Sequence, residues 1–180
     1  MIDYYQLVEP KKSRTFAAEK NHVKHGPMIQ HFVHLNEDQR RMMYEAVPRV
    51  ALLIAGADGS IDLKEIQWAE KLTEIRSYAF DEVMQPYYAA VHRQFKEVFH
   101  TMIDEYPDET EARKSRLREE LSHLNPILGT IDPVFARHFY HSLVSFARHV
   151  AEASGGFLRF GTISKEEQDL IELPMIQKPA

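Results

Sequence analysis

The chain has 180 residues, with 22 basic and 27 acidic side chains, a formal net charge of −5 and no cysteine. A hydrophobic fraction of 44% and a charged fraction of 27% are those of a globular domain and exclude wholesale disorder. Without cysteine there is no disulfide framework, no thiolate nucleophile and no cysteine zinc site. Mild acidity without a basic block argues against general nucleic-acid binding. No apolar run approaches the ~20 residues that span a bilayer. The first residues, MIDYYQLVEPKK, lack the charge-then-apolar order of a signal peptide. A soluble, cytoplasmic protein is therefore expected, and the low content of glycine (7) and proline (9) leans towards helix.

Residues 1–35 carry His22, His25, His31 and His34 and no sustained periodicity, and read as a partly irregular N-terminal arm. Asn36 with Gln39 is a capping-box start. Met42, Met43, Ala46, Val50, Leu53 and Ala57 then follow at the spacing of one helical face. Pro48 lies inside that pattern and predicts a kink or a boundary. After the Asp58-Gly59-Ser60 turn, Asp62 with Glu65 reads as a second capping box, and Trp68, Leu72, Ile75 and Ala79 as the apolar stripe of a second helix. Pro86 separates it from a third, striped by Val91, Phe95, Val98, Met102 and Tyr106. Leu117, Leu121 and Leu124 mark a fourth that ends near Asn125-Pro126. Asp132-Pro133 is a strong helix start, and Phe135, Phe139, Leu143, Phe146 and Val150 run on for about five turns. Tyr140, Val144 and Ala151 widen this arc to half the helix, which should make it the most buried. A glycine loop, Gly155 to Gly161, leads to a last capping box at Ser164 and Glu167, and residues 174–180 read as a tail. With no period-two stretch, the fold expected is an all-α bundle of six or seven helices over residues 36–173.

Two segments echo one another. Val50 to Glu65 and Phe146 to Glu167 each read as apolar helix, glycine loop, isoleucine and capped helix, which predicts a pseudo-two-fold pair of helix pairs. Ala55-Gly56-Ala57-Asp58-Gly59-Ser60-Ile61-Asp62 with Glu65 resembles the signature of the tellurite-resistance TerB-like family, and the Ser-Gly-Gly and Ile-Ser-Lys-Glu-Glu of the second segment resemble its partner motif. The likeness covers roughly residues 40–173. It implies a compact helical domain without established enzymatic activity, linked to metal or oxyanion stress and to membrane-associated complexes. It also implies metal binding by acidic residues beside the glycine loops. The second loop departs from the pattern, carrying Ser154-Gly155-Gly156 where many members have Asp-Gly.

Asp58, Asp62 and Glu65 gather three carboxylates around one turn, an arrangement hard cations such as Ca²⁺ favour. Aligned on an EF-hand, however, the loop places Ile54 and Gly56 at the first two carboxylate positions. The same residues serve equally as helix caps around a positive-φ Gly59, so a weak divalent-cation site and a purely structural turn both stand. In the second loop Gly155, Gly156, Phe157, Arg159, Phe160 and Lys165 admit three roles: an anion cradle, an apolar tip for a partner or membrane surface, or a plain connector.

Ten histidines invite a di-metal bundle, which needs two Glu-x-x-His pairs and further inward carboxylates. Glu19/His22, Glu97/His100 and Glu120/His123 supply the spacing. Glu97 and His100, however, lie more than about 100° from their helix's apolar face. His138 and His141 share a polar stripe with Ser145 and Glu152, read as a solvated face. No nucleophile motif is present. The function expected is a non-enzymatic, stress-associated interaction or metal-sensing domain with an unidentified protein partner; the alternative is a metal-dependent helical-bundle enzyme using His and Glu.

Overall fold

The computed structural model describes residues 29–61, 63–154 and 165–180. Its architecture is all-α. After a single 3-10 turn (Gln30–Phe32) come α1 (Glu37–Ala55), α2 (Leu63–Arg76), α3 (Gln85–Glu105), α4 (Thr110–Ser122), the short α5 (Leu124–Leu128), α6 (Pro133–Ser154) and α7 (Lys165–Ile171). α1 packs against α6, α3 and α4, while α2 lies across α3 and α6. The α1–α2 and α6–α7 pairs stand where the sequence echo places them, although the loop joining α6 to α7 lies outside the described residues. Among the described residues no helix is long and apolar enough to cross a membrane.

Local signals explain most element ends. The Asn36 side chain accepts from the Gln39 amide at 2.9 Å while Gln39 accepts from the Asn36 amide at 3.0 Å, closing the expected box. Asp132 caps α6 by accepting from Phe135 N at 2.8 Å. Pro86 enters α3 in its first turn, where a missing N–H costs nothing. Pro48, in contrast, lies within a continuous α1 and sets no boundary. Its ring removes one rung of the ladder. The Tyr87 hydroxyl of α3 donates to the Met43 carbonyl at 2.8 Å, tying α3 to α1.

The core is aromatic. Tyr87 meets Phe32, Tyr44, Tyr88 and Phe139 at ring-centroid distances of 5.2 to 6.3 Å, joining α1, α3 and α6. The predicted stripes of α3 and α6 are buried as read, from Val91 to Met102 and from Phe135 to Val150. Ile29, Phe32 and Leu35, read from sequence as part of the arm, are also buried here, and Ile176 of the C-terminal segment joins them.

α2 departs from its sequence reading. Trp68 is 37% exposed and Ala79 lies beyond the helix; the buried face is Ile66, Ala69, Leu72, Thr73 and Arg76. The helix is rotated relative to that reading, with Arg76, only 2% exposed, on its inner face. Its Nη1 donates to Tyr88 Oη and to the Ser142 carbonyl, both at 2.8 Å, and its Nη2 to Ser145 Oγ at 3.0 Å. The guanidinium lies 4.4 Å from the Phe80 ring centroid and 5.2 Å from that of Tyr88. Among the described residues no carboxylate pairs with it; neutral oxygens and ring faces solvate the charge. Trp68 meanwhile donates Nε1–H to the His149 carbonyl at 3.0 Å, pinning the outer edge of α2 to α6. Arg76→Ala removes both the hydrogen bonds and the packed stem, and is expected to lower unfolding free energy by about 3 kcal/mol in urea titrations followed by circular dichroism.

Candidate functional site

The sequence-predicted candidates fall into three groups. Asp58 is exposed, and its Oδ1 accepts from Ser60 N at 3.0 Å and from Ser60 Oγ at 3.2 Å, so its carboxylate is turned onto its own loop. Gly59 has the expected positive φ, +104°. Glu65, in the first turn of α2, is 3% exposed and makes contacts of its own. Asp62 lies outside the described residues, as do Gly155, Gly156, Phe157, Arg159 and Phe160 and the side chain of Lys165.

A neighbour absent from the sequence reading dominates the first glycine loop. Arg113 of α4, buried, donates through Nη1 to the carbonyls of Asp108 at 2.9 Å and Pro107 at 3.4 Å, and through Nη2 to the Gly56 carbonyl at 3.4 Å. A positive charge therefore sits against the C-terminus of α1, where the helix dipole favours it. A Cβ at Gly56 would lie 3.1 Å from both Arg113 Nη2 and the Leu52 carbonyl oxygen, so a side chain there would crowd this approach.

The histidines are dispersed. His31 stacks on Phe135 at 4.2 Å, and His34 Nε2 donates to the Thr130 carbonyl at 3.1 Å. His138 pairs with Asp81 of the α2–α3 loop. On the α6 stripe read as solvated, Ser145 bonds Arg76 inward, while His141 and Glu152 are exposed. His100 pairs weakly with Asp104 at 3.5 Å, while Glu97 is exposed. Among the described residues no three His, Asp or Glu side chains converge as a metal-holding group.

The charged residues that do converge line a cleft of about 390 Å³ between α1, α3 and α4. From α1 come Glu37, Asp38, Arg41, Glu45 and Arg49; from α3 and its end Val98, Thr101, Met102, Glu105 and Tyr106; from α4 Arg116 and Glu120. Helical periodicity builds it, since Asp38/Arg41, Glu45/Arg49 and Arg116/Glu120 are three or four residues apart and each closes an ion pair of 2.7 to 2.9 Å. Across the helices, Arg49 Nε donates to Glu120 Oε2 at 2.8 Å and to Tyr106 Oη at 3.2 Å, and the Tyr106 hydroxyl donates to the same carboxylate. Arg116 covers the Tyr106 ring at 4.3 Å and donates to the Glu105 carbonyl at 2.9 Å.

Burial and charge act against each other here. Burial alone pushes the Glu120 carboxyl up, but bonds from Tyr106, Arg49 and Arg116 outweigh it and hold it below the ordinary carboxylate value. Burial pushes the Tyr106 phenol well above its ordinary value, despite the nearby Arg49. Burial opposes the Arg49 charge too, yet Glu45, Tyr106 and Glu120 keep it protonated. The Arg49 side chain is 12% exposed, and its buried Nη1 has no hydrogen-bond acceptor.

No family model matches this chain, and no curated protein or solved structure matches it either.

Two outcomes follow from this geometry. Glu120→Gln keeps the volume but removes the charge that Arg49 and Arg116 share, and should destabilise by about 2 kcal/mol at pH 7, a value discounted for partial exposure. Because the folded carboxyl titrates below its unfolded value, its stabilisation is complete above the unfolded value and lost as pH falls through the folded one. The gap between wild type and variant in acid-titrated urea melts should therefore close on acidification. Gly56→Val forces the Arg113 guanidinium off its carbonyls and is expected to cost about 2 kcal/mol in the same melts.

Proposed function

We propose that this chain is a non-enzymatic interaction domain whose binding surface is the α1/α3/α4 cleft. The observation that carries the reading is the Arg49–Glu120–Tyr106 network on the cleft wall. A partly buried ion network is a poor source of net stability, because desolvation offsets the attraction. What it does supply is a set of polar groups held in one geometry beside an open concavity, as a binding site requires. The resemblance of Ala55 to Glu65 to the TerB-like signature supports placing this role in metal or oxyanion stress. A divalent cation at Asp58, Asp62 and Glu65 finds less support, since Arg113 already brings a positive charge to the Gly56 carbonyl and Asp58 is engaged with Ser60.

A photo-cross-linking side chain tests the reading when placed at Thr101 on the exposed cleft rim, and for comparison at exposed Glu172, in the full chain within the cells that make it. A discrete adduct from position 101, absent from position 172 and weakened by Glu105→Lys, is expected. Equal adducts from both positions would remove the cleft as the binding surface.

A further inference from the structure

We infer that residues 173–180 are a releasable strap, and that the surface beneath them recognises a short non-helical peptide segment with two aliphatic residues three positions apart. None of the residues that hold the strap lines the α1/α3/α4 cleft, so this is a second recognition surface. After α7 the chain turns at Leu173, whose φ of +47° is the one positive value among the described non-glycine residues. An L side chain adopts that conformation at a cost and keeps it only where its surroundings impose it. Here Leu173 and Ile176 are both buried in the core, and the Ile176 amide donates to the Leu173 carbonyl at 2.9 Å, closing the turn between them. Asn125 of α5 then reads main chain. Its Nδ2 donates to the Met175 carbonyl at 3.1 Å and its Oδ1 accepts from the Gln177 amide at 2.8 Å, the two groups that bracket Ile176. Further on, Arg137 of α6 donates to the Ala180 carbonyl at 2.6 Å.

Affinity and selectivity have separate sources in this seat. The carbonyl and amide that Asn125 takes are groups almost any residue supplies, so they hold a segment without choosing its sequence. The buried positions of Leu173 and Ile176 make the choice, while Pro174 and Gln177 beside them are exposed and free to vary. The strap is held by a few hydrogen bonds and two aliphatic anchors, whereas α1 and α6 are held along whole buried faces. It therefore opens at lower cost than they do. With the strap closed the seat is filled, and a partner segment of the same chemistry binds only the open fraction.

Two experiments on the full chain test this. In native-state hydrogen exchange the Ile176 amide should exchange through a local opening that the Leu143 and Ala147 amides of α6 do not share. Asn125→Ala should speed Ile176 about tenfold and leave the α6 amides unchanged. Exchange of Ile176 at the α6 rate, or equal acceleration of all three amides, would overturn the strap. In the second experiment Ile176→Asp removes the anchor and should leave the helical circular dichroism intact. A labelled, end-blocked peptide of residues 172–180 should then bind that variant, and bind wild type at least about tenfold more weakly. Adding Asn125→Ala to Ile176→Asp should lower the peptide's affinity about tenfold. Unfolding of Ile176→Asp would overturn the inference, because the segment would then be an inseparable part of the core. Failure of the peptide to bind the folded variant, equal binding to wild type, or binding that ignores Asn125→Ala would overturn the seat as a recognition surface.

Discussion

An arginine side chain cannot shed its proton at any pH a folded protein meets, so burying one obliges the surrounding structure to supply oxygens or ring faces. Among the described residues Arg76 and Arg113 are buried and Arg49 is largely so, and each joins neighbouring helices. Arg76 carries α2 onto α3 and α6 through Tyr88, Ser142 and Ser145. Arg113 ties the start of α4 to the end of α1 through the Gly56 carbonyl. Arg49 links α1 to Tyr106 and Glu120, and so to α3 and α4. Helix faces packed by dispersion tolerate small rotations, whereas a forked donor with fixed partners does not.

The three are satisfied in different ways, and the difference separates structure from candidate function. Arg76 is solvated by neutral oxygens and aromatic faces in a closed interior. Arg113 spends its donors on backbone carbonyls at the end of α1 and in the α3–α4 loop. Arg49 alone meets carboxylates, lies against an open cleft and retains a donor without an acceptor. Closed joints account for fold stability; a preorganised joint beside an open cleft is where ligand recognition has a physical basis.

Much of the fold was legible in the sequence because helix stripes and caps are local. The Asn36–Gln39 box, the Asp132-Pro133 start and the Phe135–Val150 face all depend on residues within a few positions of one another. The α2 face was misread for the opposite reason: Thr73 and Arg76 count as polar in any periodicity, and only their partners on α3 and α6 make them interior. Pro48 was read as a kink or a boundary; no boundary falls there, because α1 runs through it with Val47, Pro48 and Val50 all buried against the core. The cleft was the hardest to see. Its i,i+4 pairs Glu45/Arg49 and Arg116/Glu120 were visible but look like ordinary surface spacing. Their convergence with Tyr106 depends on three helices meeting. The acidic first loop attracted attention instead, although Arg113, the residue that donates to the Gly56 carbonyl, lies 57 positions away.

The most direct measurement of this account is a ¹H–¹⁵N spectrum of the arginine side chains of the full chain at neutral pH, assigned by substitution. Nε–H exchange with solvent should be slow for Arg49, Arg76 and Arg113 and fast for Arg41, whose side chain is 56% exposed. Exchange at Arg49 as fast as at Arg41 would contradict the account, because it would mean that the network on the cleft wall is not held in place before a ligand arrives.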